Sequence, residues 1–117
     1  NVDAFLTFMA LEFMTGHWDG YCQNQNNYRI YFDPADQNRA HFLPHGMDQM
    51  FGDPGASILS APKALLATAV MQNPEWRKKY RDKIKALLPA FVPADALKQK
   101  ATAAAAKLKP AWEKMGG

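Results

Sequence analysis

His17-Trp18-Asp19-Gly20-Tyr21-Cys22-Gln23-Asn24 is a polar stretch set between an apolar segment and a run of alternating character, and the chain is organised around it. Upstream, Val2, Phe5, Leu6, Met9 and Phe13 follow the i, i+3, i+4, i+7, i+11 spacing of a buried helix face. Asn1 or Asp3 supplies the N-terminal cap or first-turn negative charge, and Gly16 is a natural C-terminal stop. A helix over 2–14 therefore delivers the chain directly to His17. Downstream, Tyr28, Ile30 and Phe32 alternate onto one face of a strand, 33–38 has the composition of a turn, and 39–43 forms a second strand with Ala40 and Phe42 on one face and His41 on the other. The two strands make a β-hairpin.

After the hairpin, 44–55 reads as an irregular, glycine-flanked loop carrying Asp48. A helix is predicted over about 60–72, with Pro62 in its first turn and Leu65, Leu66, Ala69 and Val70 inward. The next runs over about 74–88, capped by Asn73, with Pro74 at the first position and Trp76, Tyr80, Ile84, Leu87 and Leu88 facing in. Pro93 opens a last helix bearing Leu97, Ala101, Ala104, Leu108 and Trp112, which Pro110 should kink or end. The fold class is α+β, mostly α: an N-terminal helix, a polar loop, a hairpin and three C-terminal helices.

With 117 residues the chain is expected to be a single segment with one core, burying roughly two-thirds of its unfolded surface. Its helical pattern begins at once, at an asparagine, which reads as a segment of a longer protein. No run approaches the roughly 18 apolar residues of a membrane span, and no basic-then-apolar leader is visible. Cys22 is the sole cysteine, which excludes an internal disulfide and argues against a thiolate-rich metal site. It has no paired base nearby in sequence, so a nucleophilic thiol is not expected. The formal charge of +3 is concentrated late, at Arg77, Lys78, Lys79, Arg81, Lys83 and Lys85 and again at Lys98, Lys100, Lys107 and Lys109. Such a distribution attracts phosphate or nucleic acid, but these residues fall between apolar positions of helical period and so form a solvated face. Trp18, Tyr21, Tyr28 and Tyr31 have only Arg29 and Arg39 near them, too few basic residues for a nucleic-acid stacking platform. They are expected to pack the loop and hairpin, and no nucleic-acid partner is expected.

The polar stretch is the first candidate for chemistry. Asp19 follows His17 by two residues and Asn24 follows Asp19 by five, the spacing H-x-D-x-x-x-x-N. That spacing suits phosphoryl transfer, because the aspartate orients an attacking hydroxyl and accepts its proton while the asparagine ligates a magnesium ion on the phosphates. A zinc or iron site from His17, Asp19, His41, His45 and Asp48 is the alternative, but no H-E-x-x-H or comparable local spacing supports it. The plainest alternative makes Asp19 and Asp48 helix or turn caps.

Two blocks carry a resemblance. His17-Trp18-Asp19-Gly20-Tyr21, followed by Asn24, Asn26, Asn27, Tyr28 and Tyr31, and Pro44-His45-Gly46-Met47-Asp48-Gln49-Met50-Phe51-Gly52 resemble the spore-coat protein H (CotH) kinase family. Asn73-Pro74-Glu75-Trp76 through Tyr80 is similar to it as well, and the resemblance covers about 2–108. It implies the catalytic-loop and C-terminal part of an atypical protein-kinase-like domain whose N-terminal lobe is absent. It also implies ATP-dependent phosphoryl transfer to protein hydroxyls, with Mg2+ or Mn2+ as cofactor and ATP and a protein substrate as partners. Carried over by residue, Asp19 is catalytic, Asp48 and Asn24 hold metal, and His17, His45, Asn26 and Asn27 bind nucleotide or support the loop. One departure is Gly46, where the P-W-D-x-D form of the second block has an aspartate. No phosphate-covering glycine loop or lysine paired with a helix glutamate is visible, so half of a site is expected. The competing reading is a pseudokinase-like binding or structural module. The resemblance further implies a bacterial source and an extracytoplasmic location, in a spore coat, on a cell surface or secreted.

Overall fold

A computed structural model describes residues 1–116. It confirms a mostly helical α+β architecture, with elements in the order α1 (Val2–Met14), β1 (Tyr28–Asp33), β2 (Arg39–Pro44), α2 (Leu65–Gln72), α3 (Pro74–Leu87) and α4 (Asp95–Lys114). The chain divides into two compact units, Asn1–Ile84 and the residues from Lys85 onward. All the buried side chains among the described residues lie in the first.

In α1 the Asn1 side chain caps the helix by accepting from the Ala4 N–H at 3.0 Å. The chain leaves through Gly16, whose φ of +64° suits a residue without Cβ. The buried face is wider than the stripe predicted, taking in Phe5, Leu6, Phe8, Met9, Ala10, Glu12 and Phe13. Val2, at the end of the stripe, is instead 44% exposed. Phe42 of β2 packs against Phe5 and Phe8 with ring centroids 5.0 and 5.6 Å apart, and Tyr80 of α3 meets Phe13 at 6.5 Å. Each large apolar side chain removed from water in this way contributes about 1.5–3 kcal/mol.

The hairpin is antiparallel, with Tyr28 opposite Pro44, Ile30 opposite Phe42 and Phe32 opposite Ala40. Tyr28, Ile30 and Phe32 do share a face with Phe42, but only Tyr28 and Phe42 join the aromatic cluster. Ile30 and Phe32 stay 45% and 63% exposed. The connection is a single 3-10 turn capped by Asp33 and closed by Gln37 and Asn38 in left-handed conformations.

The helix predicted from residue 60 starts at Leu65. Ser60 is tied back to Ser57, and the N–H groups of Lys63 and Ala64 donate to the Cys22 carbonyl at 2.8 and 3.3 Å, so Pro62 lies in a strap that precedes the helix. Its inward face also differs from the one predicted, with Val70 alone shared between them. Ala64, Ala67 and Val70 go inward, whereas Leu65 is 78% and Leu66 44% exposed. Ala69, also predicted inward, is exposed. Helix α3 is capped as expected, Asn73 Oδ1 accepting from Glu75 and Trp76. Tyr80 and Ile84 are buried, Trp76 is half-buried, and the Tyr80 hydroxyl donates to the Ile58 carbonyl at 3.1 Å.

In the second unit Leu87 is half-buried and Leu88 exposed rather than inward-facing. Helix α4 begins two residues after Pro93 and runs through Pro110 to Lys114, so that proline neither opens a break nor ends the helix. Exposure explains the tolerance, since water can satisfy the carbonyl that loses its donor. Leu97 is half-buried, but Ala101, Ala104, Leu108 and Trp112 are exposed, and the predicted stripe is uncovered. Among the described residues, no helix is long and apolar enough to cross a membrane.

Candidate functional site

The loop after α1 has no regular structure of its own and is fixed from beneath. Glu12 lies on the buried stripe of α1, and its carboxylate accepts from the N–H groups of Tyr21 at 2.9 Å and Cys22 at 2.8 Å. His17 is 2% exposed, with Nδ1 3.7 Å from Glu12 Oε1 and its N–H donating to the Glu12 carbonyl at 2.8 Å. Neither ring nitrogen has a hydrogen-bond partner among the described residues, and the imidazole sits in the floor of the loop. Gly20 leaves room for both groups: a Cβ there would collide with Glu12 Oε1 and stand 2.8 Å from His17 Nδ1. Tyr21 packs against Phe5, Tyr28 and Phe42, and its hydroxyl accepts from the Leu66 N–H. Burial raises the Tyr21 pKa above the usual tyrosine value. Burial, and then the Glu12 carboxylate, drive the pKa of the Cys22 thiol far above the ordinary thiol range. Trp18 and Tyr31, expected to pack the loop and hairpin, are each 52% exposed.

Above this floor Asp19 is the hub. Its Oδ1 accepts from Asn24 Nδ2, and its Oδ2 accepts from Asn26 Nδ2 at 3.3 Å and Asn27 Nδ2 at 2.6 Å. The loop therefore folds back so that amides five, seven and eight residues away converge on one carboxylate. Gln25 and Asn27 make the reversal with φ of +58° and +41°, a region that asparagine tolerates better than most residues.

The second block is sewn to the first through Asn27. Its carbonyl accepts from the His45 N–H at 3.0 Å. Gly46, in the left-handed region at φ +56°, lies under the Asn27 amide, whose Cγ would be 2.7 Å from any Cβ at that position. A side chain at Gly46 would thus displace the amide that holds Asp19, which gives a physical reason for glycine where the other form of this block has an aspartate. Asp48 follows on a single 3-10 turn, 47–49, and is exposed, as is His45.

Of the residues read from the sequence, Asp19, Asn24, Asn26 and Asn27 are brought together, His17 lies beneath them, His45 is tied to Asn27 through its backbone, and Asp48 stands exposed on the turn two residues after Gly46. His41 goes elsewhere, its Nε2 2.8 Å from Asp36 Oδ2 on the hairpin turn. Among the described residues no three His, Cys, Asp or Glu side chains gather as a metal site requires, so the alternative zinc or iron set is not assembled. Asp19 caps no helix and accepts from three side-chain amides, whereas Asp48 lies in the first turn of a 3-10 helix, where the turn-cap alternative puts it. The residue sequence reasoning missed is Glu12, and the available signal was a carboxylate at the i+3 position from Met9 on an apolar helix face.

The sequence profile of the CotH kinase protein family matches residues 1–115. The chain belongs to that family. Among curated relatives, Spore coat protein homolog 1 of Rhizopus delemar is 34% identical over 97 aligned residues, which cover 73% of this chain and 16% of the relative. Invasin CotH2 and Invasin CotH7 of the same fungus are each 44% identical over 52 residues, covering 44% of this chain and 9% of each relative. The chain thus spans a small part of these CotH relatives, and their fungal source lends nothing to the expected bacterial one. No solved structure matches.

Proposed function

We propose that this CotH segment supplies the catalytic-loop edge of an atypical protein kinase that transfers phosphate from ATP to protein hydroxyls. The observation that carries this reading is the convergence of three loop amides on Asp19. An ionised carboxylate offers about four acceptor positions. Three are filled by Asn24, Asn26 and Asn27, which fixes the carboxylate plane and leaves one position for the proton of an incoming hydroxyl. In this reading Asp19 orients that hydroxyl and takes its proton as the phosphoryl group is transferred.

The chemistry of the donor set fits a hard divalent cation. Asp48 offers a carboxylate, and Asn24, whose amide nitrogen is committed to Asp19, has its amide oxygen left to ligate. Because no three acidic or imidazole groups converge here, the protein would fill only part of a coordination shell. Mg2+ suits such a site, since it commonly keeps waters and takes its remaining ligands from substrate phosphates. When bound, the ion offsets the charge that develops on those phosphates. Asn26 and Asn27 serve this arrangement by holding Asp19 and the second block, and His17 supports the loop. ATP contacts from His45, the remainder of the nucleotide site and the protein substrate belong to the same proposal.

A second reading is a binding or structural module that keeps this architecture without transferring phosphate. The relatives' names, a spore coat protein homolog and invasins, favour it, and under either reading a spore coat, secreted or cell-surface location is proposed. Transfer of labelled phosphate from ATP with Mg2+ by the full-length protein, against Asp19→Ala and Asp48→Ala, separates the two. Transfer by the wild type that both substitutions abolish supports the kinase. If the wild type transfers nothing above the variants, the module reading stands.

A further inference from the structure

Resting on the kinase reading, we propose that Glu12 is a positioning residue whose buried carboxylate sets the arc from Asp19 to Asn24 and thereby the rate of transfer. The arc reverses direction without a helix or strand to define it, so its shape depends on discrete ties. The residues at its centre, Tyr21 and Cys22, present their N–H groups downward, and both bonds end on the two oxygens of one side chain from a different element. That side chain is 5% exposed and sits on α1, the helix with the most buried residues, so its position is set by core packing. The remaining backbone ties lie on either side of this anchor: Gly20 N–H to the His17 carbonyl, Asn26 N–H to the Gly20 carbonyl, and Lys63 and Ala64 N–H to the Cys22 carbonyl. Among the described residues, the Glu12 bonds are the only hydrogen bonds from α1 to the midpoint of the arc, between the carboxylate and the amide that meet above it, and the Phe5–Tyr21 ring contact accompanies them.

A buried acid on an apolar helix is otherwise costly, and such groups occur where their oxygens are fully used. Both Glu12 oxygens are. The absence of a Cβ at position 20, and the imidazole 3.7 Å away, complete a compartment shaped around the carboxylate. Glutamine has the same shape but offers one acceptor oxygen, and its NH2 group would face a backbone N–H. Glu12→Gln therefore releases one of the two anchors, allowing Asp19 to move without emptying the core. Aspartate in place of Glu12 is one methylene too short to reach.

The test is steady-state phosphate transfer by the full-length protein with labelled ATP and Mg2+. It compares wild type, Glu12→Gln, Glu12→Asp and a core truncation, Val70→Ala, as a control for lost stability. Amide exchange at Tyr21 and Cys22 is followed in parallel. Misplacing a catalytic group by about 1 Å costs on the order of 10²-fold in rate. Both Glu12 variants should lose about that much kcat with the KM for ATP within about threefold of wild type, and their Tyr21 and Cys22 amides should exchange faster. Val70→Ala should keep its kcat at temperatures where it is folded. An active wild type whose Glu12 variants match the Val70→Ala control, or whose loss appears in KM alone, overturns the positioning role. A wild type without transfer overturns the kinase reading on which that role rests.

Discussion

Replacing Gly46 with alanine tests the seam between the two halves of the candidate site. Gly46 has φ +56°, where a Cβ costs an L-residue about 1–2 kcal/mol. The same Cβ would stand 2.7 Å from Cγ, 2.8 Å from Oδ1 and 3.1 Å from Nδ2 of Asn27. The amide must swing aside, and its 2.6 Å bond to Asp19 Oδ2 goes with it. A hydrogen bond to a charged group contributes about 1.5–3 kcal/mol, and the lower end applies because Asn27 is only half-buried. Together the two effects predict a loss of about 2.5–3.5 kcal/mol. Urea denaturation of wild type, Gly46→Ala, Asn27→Ala and the double variant measures it. In the Asn27→Ala background the alanine at 46 should cost only the backbone contribution of about 1–2 kcal/mol, leaving a coupling of about 1.5 kcal/mol. Additive single effects, within about 0.5 kcal/mol, would refute the seam.

Three further outcomes follow from the same geometry. Gly20→Ala should be among the most damaging single changes, because the displaced Glu12 carboxylate leaves two buried N–H groups unpaired at about 1–3 kcal/mol each; a denaturant-measured loss below about 1 kcal/mol contradicts it. Burial raises the Tyr80 pKa above its ordinary value of 10.0, so its contribution to stability is complete below that value and declines as pH rises beyond it. The fall in denaturation midpoint between about pH 9 and about pH 12 should be shallower in Tyr80→Phe, and equal slopes would count against the burial argument. The Asn1 amide and then His41 hold the Asp36 carboxyl below its usual value of 3.8, so its contribution is present above that value and disappears as acid protonates it. Asp36→Asn should flatten the acid limb of the pH-stability curve, and an unchanged limb would exclude Asp36 from it.

What the sequence made legible follows from how local its causes are. Helix α1, the two strands of the hairpin and the α3 cap depend on spacing and capping within a few residues, and all three stand where the pattern placed them. The start of α2 depends on a strap whose Lys63 and Ala64 bond to Cys22, some forty residues earlier, and periodicity carries no information about that. The long stripe on α4 obeys helical spacing, yet spacing alone does not supply a surface to cover Leu108 and Trp112. For the site, Asp19 and the asparagines were legible because the loop closes on itself over eight residues. Glu12 was hidden because a carboxylate within an apolar stripe looks like an interruption until the backbone it serves has folded over it. Gly46 looked like a missing carboxylate, and the packing of Asn27 gives it a structural purpose.

The most direct test of the central claim, that the two blocks form one metal-dependent site, is paramagnetic relaxation with Mn2+ and ATP added to the labelled full-length protein. Resonances of Asp19, Asn24 and Asn27 should broaden together with those of Gly46 and Asp48, saturably and reversibly with added Mg2+, while those of Asp33 and Arg39, at the far end of the hairpin, remain sharp. Broadening confined to one block, or spread across exposed carboxylates such as Glu75 and Asp82, would contradict a shared site.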